Sequence, residues 1–433
     1  MKKPTLVLVA LVVILTLVAP GLGAGSRADA RRATTITYLA SQDWIRQGEL
    51  DLAAKFEDET GIHVDYQIIP SDQYFSVLQT KLNTGEATDI FGGQSGKTDL
   101  VVNYDITKNA VDLSDEEWVA RQDPLVTEQV TVDGKVYGMT LWDTSASWVI
   151  VYNKDIFAGL GLNVPTTYDE FKAVCQAIKD AGINPIYEPI SDGWHHVLWF
   201  PELGPRYEQV TPGLADELNA NTAKFADNPT MLTVLQQLKE MYDLGFFGEF
   251  AMSDAYADGP EFMANGEYAM TVRQTAFVNI VESEFGVPAS TFGFFVMPLA
   301  DNQILNVNPA GPSKFIYSGS KHIEEAKEYL RFLARPENLQ YNVDNTPEFT
   351  TLNFTGVTPK YSDEEKAFFD AYADKRGTVY QTAVNYLNPQ WMDIGQDLSA
   401  MFIGDIEPID VLQHIDQRRA DMAQAANDPG WAK

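Results

Sequence analysis

The spacing of apolar residues over residues 34–101 predicts strands and helices in alternation. The stretches TTITYLA and IHVDYQII have the β-branched residues and two-residue period of strands, and TDIF is typical of a third. Between the first two strands, Ile45, Leu52 and Phe56 fall on one face of a helix that Gly61 ends. YFSVLQTKLNTG predicts a second helix. Strands separated by single helices indicate parallel pairing with crossover helices.

The remainder of the chain continues this mixture. A hairpin is predicted around Asp133-Gly134 in VDGKVYGMTL, and WVIVYNKDIF is apolar enough for a buried strand. Strands are also predicted for GEYAMTV and FGFFVMPL, and helices for TTYDEFKAVCQAIKDAG, NPTMLTVLQQLKEMYDLGFF, SKHIEEAKEYLRFLARPENL and the tail from Trp391. The pattern predicts an α/β fold, and the chain is long enough for two α/β lobes.

The N-terminal residues have the layout of a secretory signal peptide. Two lysines precede an uncharged apolar run over residues 6–19, and small residues follow. The run is shorter than the about 20 residues that a membrane-spanning helix needs, although a retained anchor is the alternative. We expect residues 1–30 to form this signal, with cleavage after Ala24 or Ala30. The protein would then be secreted across the cytoplasmic membrane, to the periplasm or the outer cell surface.

Composition limits the classes of partner. With 61 acidic and 31 basic residues, the net charge is −30, which argues against nonspecific binding to nucleic acid or anionic lipid. Cys175 is the only cysteine in the sequence, so the chain cannot form an internal disulfide. Phe171, Val174 and Ile178 share its helical stripe, which predicts a buried thiol in the core.

The stretch TDIFGGQSGKTDLV is close to the phosphate-binding pattern G-x-x-x-x-G-K-[ST] but does not match it. Phe91 stands where the first glycine is needed to wrap a phosphate closely, so nucleotide binding is not favoured. A glycine-rich turn at the end of a strand still lies where ligands collect in α/β sheets. We interpret its glycines as room for the close approach of a ligand.

Eight stretches, taken in order, carry a family resemblance. They are LAAKFEDETGIHV, LNTGEATDIFGG, GKVYGMTL, VYNKDIF, PTTYDEFKAVCQAIKDAGI, FMANGEYAMTV, GSKHIEEAKEYLRFLARPENL and GDIEPIDVLQHI. Together they resemble the family 1 extracellular solute-binding proteins, the sugar-capturing subunits of ABC importers, which include maltose-binding protein. The resemblance covers most of the chain after the signal segment.

The resemblance implies a two-lobed fold of the periplasmic-binding-protein type. Each lobe would have a mainly parallel sheet flanked by helices, and the ligand would lie in the cleft between the lobes. Residues 34–145 and 298–345 would form the N-terminal lobe, and residues 146–297 and 346–433 the C-terminal lobe. The resemblance further implies a monomer without cofactor or enzyme activity, which closes around a sugar or oligosaccharide and delivers it to a membrane permease.

The candidate ligand-binding residues are Asp43, Trp44, Gln94, Ser95, Trp142, Asp143, Asp192, Trp194, Arg273, Gln274 and Trp391. A sugar site needs aromatic faces for C–H groups and polar side chains for hydroxyls. By resemblance, Asp43 and Trp44 stand on a turn where the family grips sugar, and Trp391 fits the position of a stacking tryptophan. Where the family often has a glycine–tryptophan turn, this chain has RQTAF. Arg273 is therefore a candidate donor, with a salt bridge as the alternative.

The tryptophans divide into two groups. Trp142 precedes a buried strand together with Asp143, so we expect both to border the cleft. Trp148, Trp199 and Phe200 are expected in the core, because they lie in apolar stretches.

His195 and His196 raise the question of a metal, but adjacent residues of a helix point about 100° apart and cannot chelate one ion from one face. The sequence has no H-E-x-x-H motif. We therefore expect no metal and no catalytic residues.

Two other functions stay open on the sequence alone. A secreted glycoside hydrolase would share the signal and the aromatic residues, and it needs only a pair of carboxylates. A binding protein for another solute, such as a polyamine, would use carboxylates such as Asp43, Asp143 and Asp192 around aromatic rings.

Overall fold

The computed structural model describes residues 34–144 and 147–431. The expected signal segment and both of its candidate cleavage sites lie outside the described residues. Within the described part, the strands are β1 Thr34–Ser41, β2 Ile62–Ile69, β3 Ile90–Gln94, β4 Thr131–Val132, β5 Lys135–Val136, β6 Gly138–Met139, β7 Trp148–Asn153, β8 Asn184–Tyr187, β9 Tyr268–Gln274, β10 Phe292–Phe295, β11 Leu305–Val307, β12 Pro312–Ile316 and β13 Arg376–Thr378.

Helices pack on the faces of the two main sheets described below. In the described residues they are α1 Gln47–Thr60, α2 Ser71–Thr84, α3 Lys97–Val102, α4 Ile106–Asn109, α5 Pro124–Glu128, α6 Lys154–Gly159, α7 Tyr168–Asp180, α8 Gly204–Val210, α9 Leu214–Asn219, α10 Pro229–Asp243, α11 Gly259–Ala264, α12 Phe277–Phe285, α13 Ile323–Leu333, α14 Pro336–Asp344, α15 Asp363–Ala371, α16 Tyr380–Ala383, α17 Trp391–Ile403 and α18 Pro408–Ala425.

The first lobe is built on a sheet with strand order β2-β1-β3-β12-β6. β1 pairs in parallel with β2 and β3, whereas β12 runs antiparallel to β3 and β6. Phe56 of α1 and Leu330 of α13 are fully buried in the core on one face of the sheet. Tyr74 and Leu78 of α2 are buried on the other face.

The second lobe is built on a sheet with strand order β10-β7-β9-β8. Its core holds Phe171 of α7, Leu235 of α10 and Leu398 of α17, all fully buried. Cys175 is buried in the same core as a free thiol, which confirms that prediction.

Both sheets are mixed, so the prediction of mainly parallel sheets is wrong. In the second sheet β8 and β9 pair in parallel, but β7 runs antiparallel to β9 and β10. The reason lies in the crossings between lobes. β1, β3 and β9 end at the interlobe cleft, whereas β7 and β12 begin there after the chain has crossed. A strand that begins at the cleft must run opposite to strands that end at it.

The crossings also lie elsewhere than the expected lobe bounds. Leu299 and Leu305 pack in the apolar clusters of the second lobe, although they follow residue 298. Phe349, Leu352 and Phe354 pack in the first lobe, although they follow residue 346. Each of these residues belongs to the lobe whose sheet it packs against. The irregular segments around the crossings have no periodic apolar pattern, so the sequence alone does not show which lobe they join.

Candidate ligand-binding cleft

A cleft of about 390 Å³ lies between the two sheets, and both lobes contribute to its walls. Small-molecule sites typically measure roughly 300–1,000 Å³. The aromatic side chains in its walls are Trp44, Phe75, Trp142, Trp148, Trp194, Tyr256, Phe277 and Trp391. The charged and amide side chains in its walls are Gln42, Asp43, Arg46, Gln79, Gln94, Asp99, Asn103, Asp143, Gln274, Asn308, Glu348, Gln381, Asn388 and Asp393.

Trp44 is held on the first-lobe wall by the turn between β1 and α1. Asp43 in this turn has a left-handed conformation with φ of 66°, which aspartate tolerates better than most residues. The indole packs edge-on against Tyr74 and Phe75, with ring centroids 5.1 and 6.2 Å apart. The side chains beneath the turn thus fix the orientation of the Trp44 ring.

The glycines of β3 make room for protein side chains. A Cβ atom on Gly92 would lie 3.0 Å from the Trp44 ring. A Cβ atom on Gly93 would lie 2.9 Å from both Phe315 and Tyr104. The interpretation that these glycines leave room for a ligand is therefore wrong, because Trp44 and the core occupy that space.

Gln94 and Ser95 follow these glycines but face different surroundings. Gln94 lines the cleft, and its buried Oε1 has no hydrogen-bond partner among the described residues. The structure does not place Ser95 on the cleft wall: its buried hydroxyl donates to the Gly311 carbonyl at 3.1 Å and accepts from the Gly311 N–H at 2.9 Å. Ser95 thus ties β3 to the segment that crosses between the lobes.

Charges from both lobes act on the carboxylate of Asp43. Burial raises the pKa of Asp43 above its ordinary value. Arg46 and Arg273 lower the pKa of Asp43, whereas Asp192 and Glu348 raise it. Because Asp192 and Arg273 belong to the second lobe, the electrostatic environment of this first-lobe residue depends on how the two lobes meet.

Trp142 and Asp143 lie where the chain leaves the first lobe. Trp142 is half-buried on the cleft wall, with the Phe349 ring 5.3 Å away and the Arg46 guanidinium 5.4 Å from its ring centre. Asp143 also borders the cleft but is only 1% exposed. Its carboxylate accepts hydrogen bonds from the backbone N–H and hydroxyl of Thr350, at 2.8 and 2.5 Å. Asp143 therefore holds the segment around Thr350 against the point where the chain leaves the first lobe.

Four residues form what we call the aromatic wall of the second lobe: Trp148, Trp194, Tyr256 and Trp391. The ring centroids of Trp148 and Trp194 are 5.9 Å apart, and those of Trp194 and Tyr256 are 4.9 Å apart. The indole N–H of Trp391 donates to the Trp194 carbonyl at 2.9 Å. Contacts among these residues hold them in one continuous surface.

Trp148 was expected in the core, and this expectation is wrong. It is half-buried and lines the cleft, because it is the first residue of β7 and this strand begins at the cleft. Trp199 and Phe200 are fully buried, which confirms their assignment to the core.

Two glycines allow α17 to approach the turn that carries Trp194. A Cβ atom on Gly395 of α17 would lie 1.9 Å from the carbonyl oxygen of Gly193. Gly193 itself has φ of 76°, a region that glycine occupies at little cost. This close approach brings Trp391 at the start of α17 beside Trp194.

Arg273 and Asp192 lie behind the aromatic wall and are not among the residues that line the cleft. The Arg273 guanidinium stacks on Tyr256 at 3.5 Å from the ring centre and donates to the Tyr256 carbonyl at 2.6 Å. The Asp192 carboxylate accepts from the Tyr256 backbone N–H at 2.5 Å. Both residues hold Tyr256 in place, whereas Gln274 at the end of β9 does line the cleft.

Asn388 and Gln381 are cleft residues that the sequence reasoning missed, as it missed Tyr256. Asn388 precedes α17, and its side-chain amide donates to the carboxylate of Asp99 in the first lobe. Its Oδ1 accepts from the Gln381 amide at 2.7 Å. A local signal exists for Asn388, because it precedes a proline that restricts its backbone, whereas no local signal marks Tyr256.

Among residues 34–144 and 147–431, no group of three or more His, Cys, Asp or Glu side chains is arranged to hold a metal ion. In the same residues, no helix is both long enough and apolar enough to cross a bilayer.

Comparisons with known proteins agree with this architecture. The chain is 24% identical to the melibiose/raffinose/stachyose-binding protein MelE of Bacillus subtilis, over 93% of each protein. A Bacillus licheniformis sugar transporter solved with stachyose superposes with a TM-score of 0.72 at 20% identity, covering 90% of this chain and all of that one. A chitin oligosaccharide binding protein has a TM-score of 0.74 at 19% identity, covering 90% of this chain and 99% of that one.

These structural neighbours show the two-lobed fold. The sequence profile described as bacterial extracellular solute-binding protein matches residues 43–340, which is more than half of the chain. The protein therefore belongs to the bacterial extracellular solute-binding protein family.

Proposed function

We propose that this protein is the substrate-binding subunit of an ABC importer, and that it captures an oligosaccharide in its interlobe cleft. The observation that carries the proposal is the set of aromatic rings and polar side chains that both lobes contribute to one cleft. The protein acts as a monomer outside the cytoplasmic membrane and passes its sugar to a membrane permease. Membership of the extracellular solute-binding family supports this transport role.

The chemistry of the walls suits a neutral sugar. Sugar rings have apolar C–H faces, which pack on aromatic rings, and hydroxyl edges, which need hydrogen-bond partners. Trp44 stands on one wall and Trp194 and Trp391 on the other, so a sugar chain between them can contact rings from both lobes. Gln94 lines the cleft and its Oε1 has no partner among the described residues, so its amide is our candidate for a hydrogen bond to a sugar hydroxyl.

Similar proteins support an oligosaccharide as the ligand class. MelE of Bacillus subtilis is a melibiose/raffinose/stachyose-binding protein. The Bacillus licheniformis transporter was solved with stachyose, and another similar binding protein was solved with raffinose. We therefore take these sugars as the first probes for this chain.

A polyamine is a poorer fit to the same cleft. Of the three carboxylates that a polyamine site would use, Asp143 accepts hydrogen bonds from Thr350 and Asp192 accepts one from Tyr256. A cation would have to compete with these bonds, which leaves only Asp43 of these three. Glu348, another carboxylate of the cleft walls, is already paired with Arg46 at 2.9 Å.

A thermal-shift screen of oligosaccharides, followed by calorimetric titration, tests the proposal. A sugar at about 100 times its Kd should stabilise the folded protein by about 2.7 kcal/mol. Spermidine serves as the competing ligand class. Binding of spermidine without any sugar would contradict the proposal, and so would cleavage of the bound sugar, since that would indicate a hydrolase.

Closure gives an independent measurement. Because the walls come from both lobes, bound sugar contacts both lobes only when they are closed, and ligand should shift the population toward the closed form. Small-angle scattering should show a smaller radius of gyration at saturation. An unchanged radius in a sample with proven binding would exclude ligand-driven closure.

A further inference from the structure

His195 lies directly behind the aromatic wall and is fully buried. Its ring centroid is 6.0 Å from that of Trp148, 5.2 Å from that of Trp194 and 5.5 Å from that of Tyr256. One side chain therefore contacts three of the four residues in the wall. It does so from the protein interior, where a ligand in the cleft does not reach it.

Both ring nitrogens of His195 face hydrogen-bond acceptors. Nε2 is 2.9 Å from the carbonyl oxygen of Val272. A carbonyl only accepts, so Nε2 carries a proton. Nδ1 is 2.6 Å from Oε1 of Glu188, whose Oε2 accepts from the indole N–H of Trp199 at 2.7 Å. A second proton lies between Nδ1 and the Glu188 carboxyl group.

That proton joins the two side chains whichever atom carries it. Burial raises the pKa of Glu188, but His195 and the hydrogen bonds from His195 and Trp199 outweigh it, so the net pKa lies below its ordinary value. His195 is thus hydrogen-bonded at both edges of its ring, to Glu188 and to the Val272 carbonyl. The neighbouring His196 differs, because burial lowers its pKa and its Nε2 hydrogen-bonds to the Gly395 carbonyl at 2.8 Å.

We propose that His195, held by hydrogen bonds at both ring nitrogens between Glu188 and the Val272 carbonyl, is the positioning residue of the ligand-facing aromatic wall. The proposal rests on the proposed function, since the wall matters only if the ligand contacts it. Hydrogen bonds at opposite edges of the imidazole fix its plane. The fixed imidazole packs edge-on against Trp148 and Trp194 and tilted against Tyr256, so it orients these three rings.

Groups behind a site commonly fix the geometry of groups that touch the ligand. The hydrogen bonds of His195 are buried and do not involve the cleft, so we expect the wall to keep its shape in the absence of ligand.

The hydrogen bonds can be tested without ligand, by ¹⁵N NMR of the histidine rings in the intact secreted protein. Wild type should show a proton on Nε2 of His195 that exchanges slowly with solvent, because this N–H is buried against the Val272 carbonyl. A His195 ring without a proton on Nε2 would overturn the proposal. Glu188→Leu removes the partner of Nδ1 and should shift the indole N–H signals of Trp148 and Trp194. Glu188→Gln keeps the shape and can still hydrogen-bond Nδ1 and Trp199, so it should shift them less. Unchanged indole signals in E188L would also overturn the proposal.

The positioning role needs a matched pair of variants. His195→Phe keeps an aromatic ring but loses both hydrogen bonds, and His196→Phe makes the same change at the neighbouring buried histidine, whose ring packs near Phe402. We expect H195F to shift the indole N–H signals of Trp148 and Trp194 and to weaken stachyose binding at least tenfold. H196F should leave the indole signals and the affinity nearly unchanged, even if both variants unfold more easily.

The outcomes separate the two proposals. Equal effects of H195F and H196F on the wall signals would mean that His195 only fills space, which overturns the positioning role. If wild type binds neither stachyose nor raffinose, the proposed ligand class fails, but the ring-nitrogen and indole signals still decide the role of His195. If H195F does not fold, E188L provides the same readings, with E188Q as its matched control. Shifted indole signals and weaker stachyose binding in E188L would support the positioning role, and unchanged signals would overturn it.

Discussion

The side-chain amide of Asn388 in the second lobe donates a hydrogen bond to the carboxylate of Asp99 in the first. Asp99 also accepts from the Asn103 amide of its own lobe at 2.8 Å. Beside this contact, the Thr98 hydroxyl donates to Oδ1 of Asn385 at 3.2 Å. Helix α3 and the segment before α17 therefore form a polar contact between the lobes at the edge of the cleft.

This contact predicts that sugar binding strengthens as the pH falls through neutrality. Burial raises the pKa of Asp99 to about 7, even though the hydrogen bonds from Asn388 and Asn103 lower it. If opening the lobes exposes Asp99, its pKa in the open form returns toward the ordinary acidic value. The closed form then takes up a proton that the open form does not. The contribution of this proton to closure is present at low pH and lost as the pH rises through about 7.

Calorimetry between about pH 6 and about pH 8 checks this sign. Affinity should decrease with rising pH in wild type, and the slope should shrink in Asp99→Asn, which cannot titrate. Proton uptake on binding, measured in buffers of different ionisation enthalpy, should vanish in the same variant. A wild-type affinity that is constant or rises with pH would contradict the prediction.

Gly92→Ala should weaken sugar binding while leaving most of the stability. The added Cβ would lie 3.0 Å from the Trp44 ring, so the indole has to shift on the cleft wall. Gly159→Ala is the control, because a Cβ there meets no atom within 4 Å. We expect a several-fold rise in Kd for G92A and no change for G159A, both measured by titration. Equal affinities would mean that Trp44 does not contact the sugar.

Features fixed by residues close in sequence could be predicted. Gly61 and Gly85 end α1 and α2 in the left-handed conformation, with φ of 73° and 75°. The Asp133-Gly134 turn joins β4 and β5, and Thr167 caps α7 through its side chain. These signals need no knowledge of tertiary structure, because each acts within a few residues of its own position.

The walls of the cleft were harder to predict, because tertiary contacts decide which side chains face it. An apolar strand pattern cannot distinguish Trp148 at the cleft from a residue in the core. Tyr256 lies outside the strands and depends on Arg273 and Asp192 behind it. Asp143 bordered the cleft as expected, but its carboxylate is committed to Thr350, more than 200 residues further along the chain.

Sugar binding should not require a metal ion. The polar groups that line the cleft are amides, carboxylates, hydroxyls and one guanidinium, and the described residues contain no cluster with the geometry of a metal site. Titration after dialysis against EDTA should give the same Kd as titration before it. Loss of binding that calcium or zinc restores would contradict this prediction.

Trp194 and Trp391 should carry much of the affinity, because both present rings on the aromatic wall. Truncation of a buried anchor of this kind costs roughly 2 kcal/mol or more, which is about 30-fold in Kd. Trp194→Ala and Trp391→Ala should therefore weaken binding about 30-fold or more while the lobe stays folded. Trp199→Ala is the control: this indole is fully buried and donates to Glu188, so its loss should cost about 3–5 kcal/mol of stability. Affinity by calorimetry and unfolding by denaturant should be measured on all three variants. If W194A and W391A lose stability as W199A does but bind sugar normally in the folded fraction, the wall is part of the core and not a sugar-binding surface.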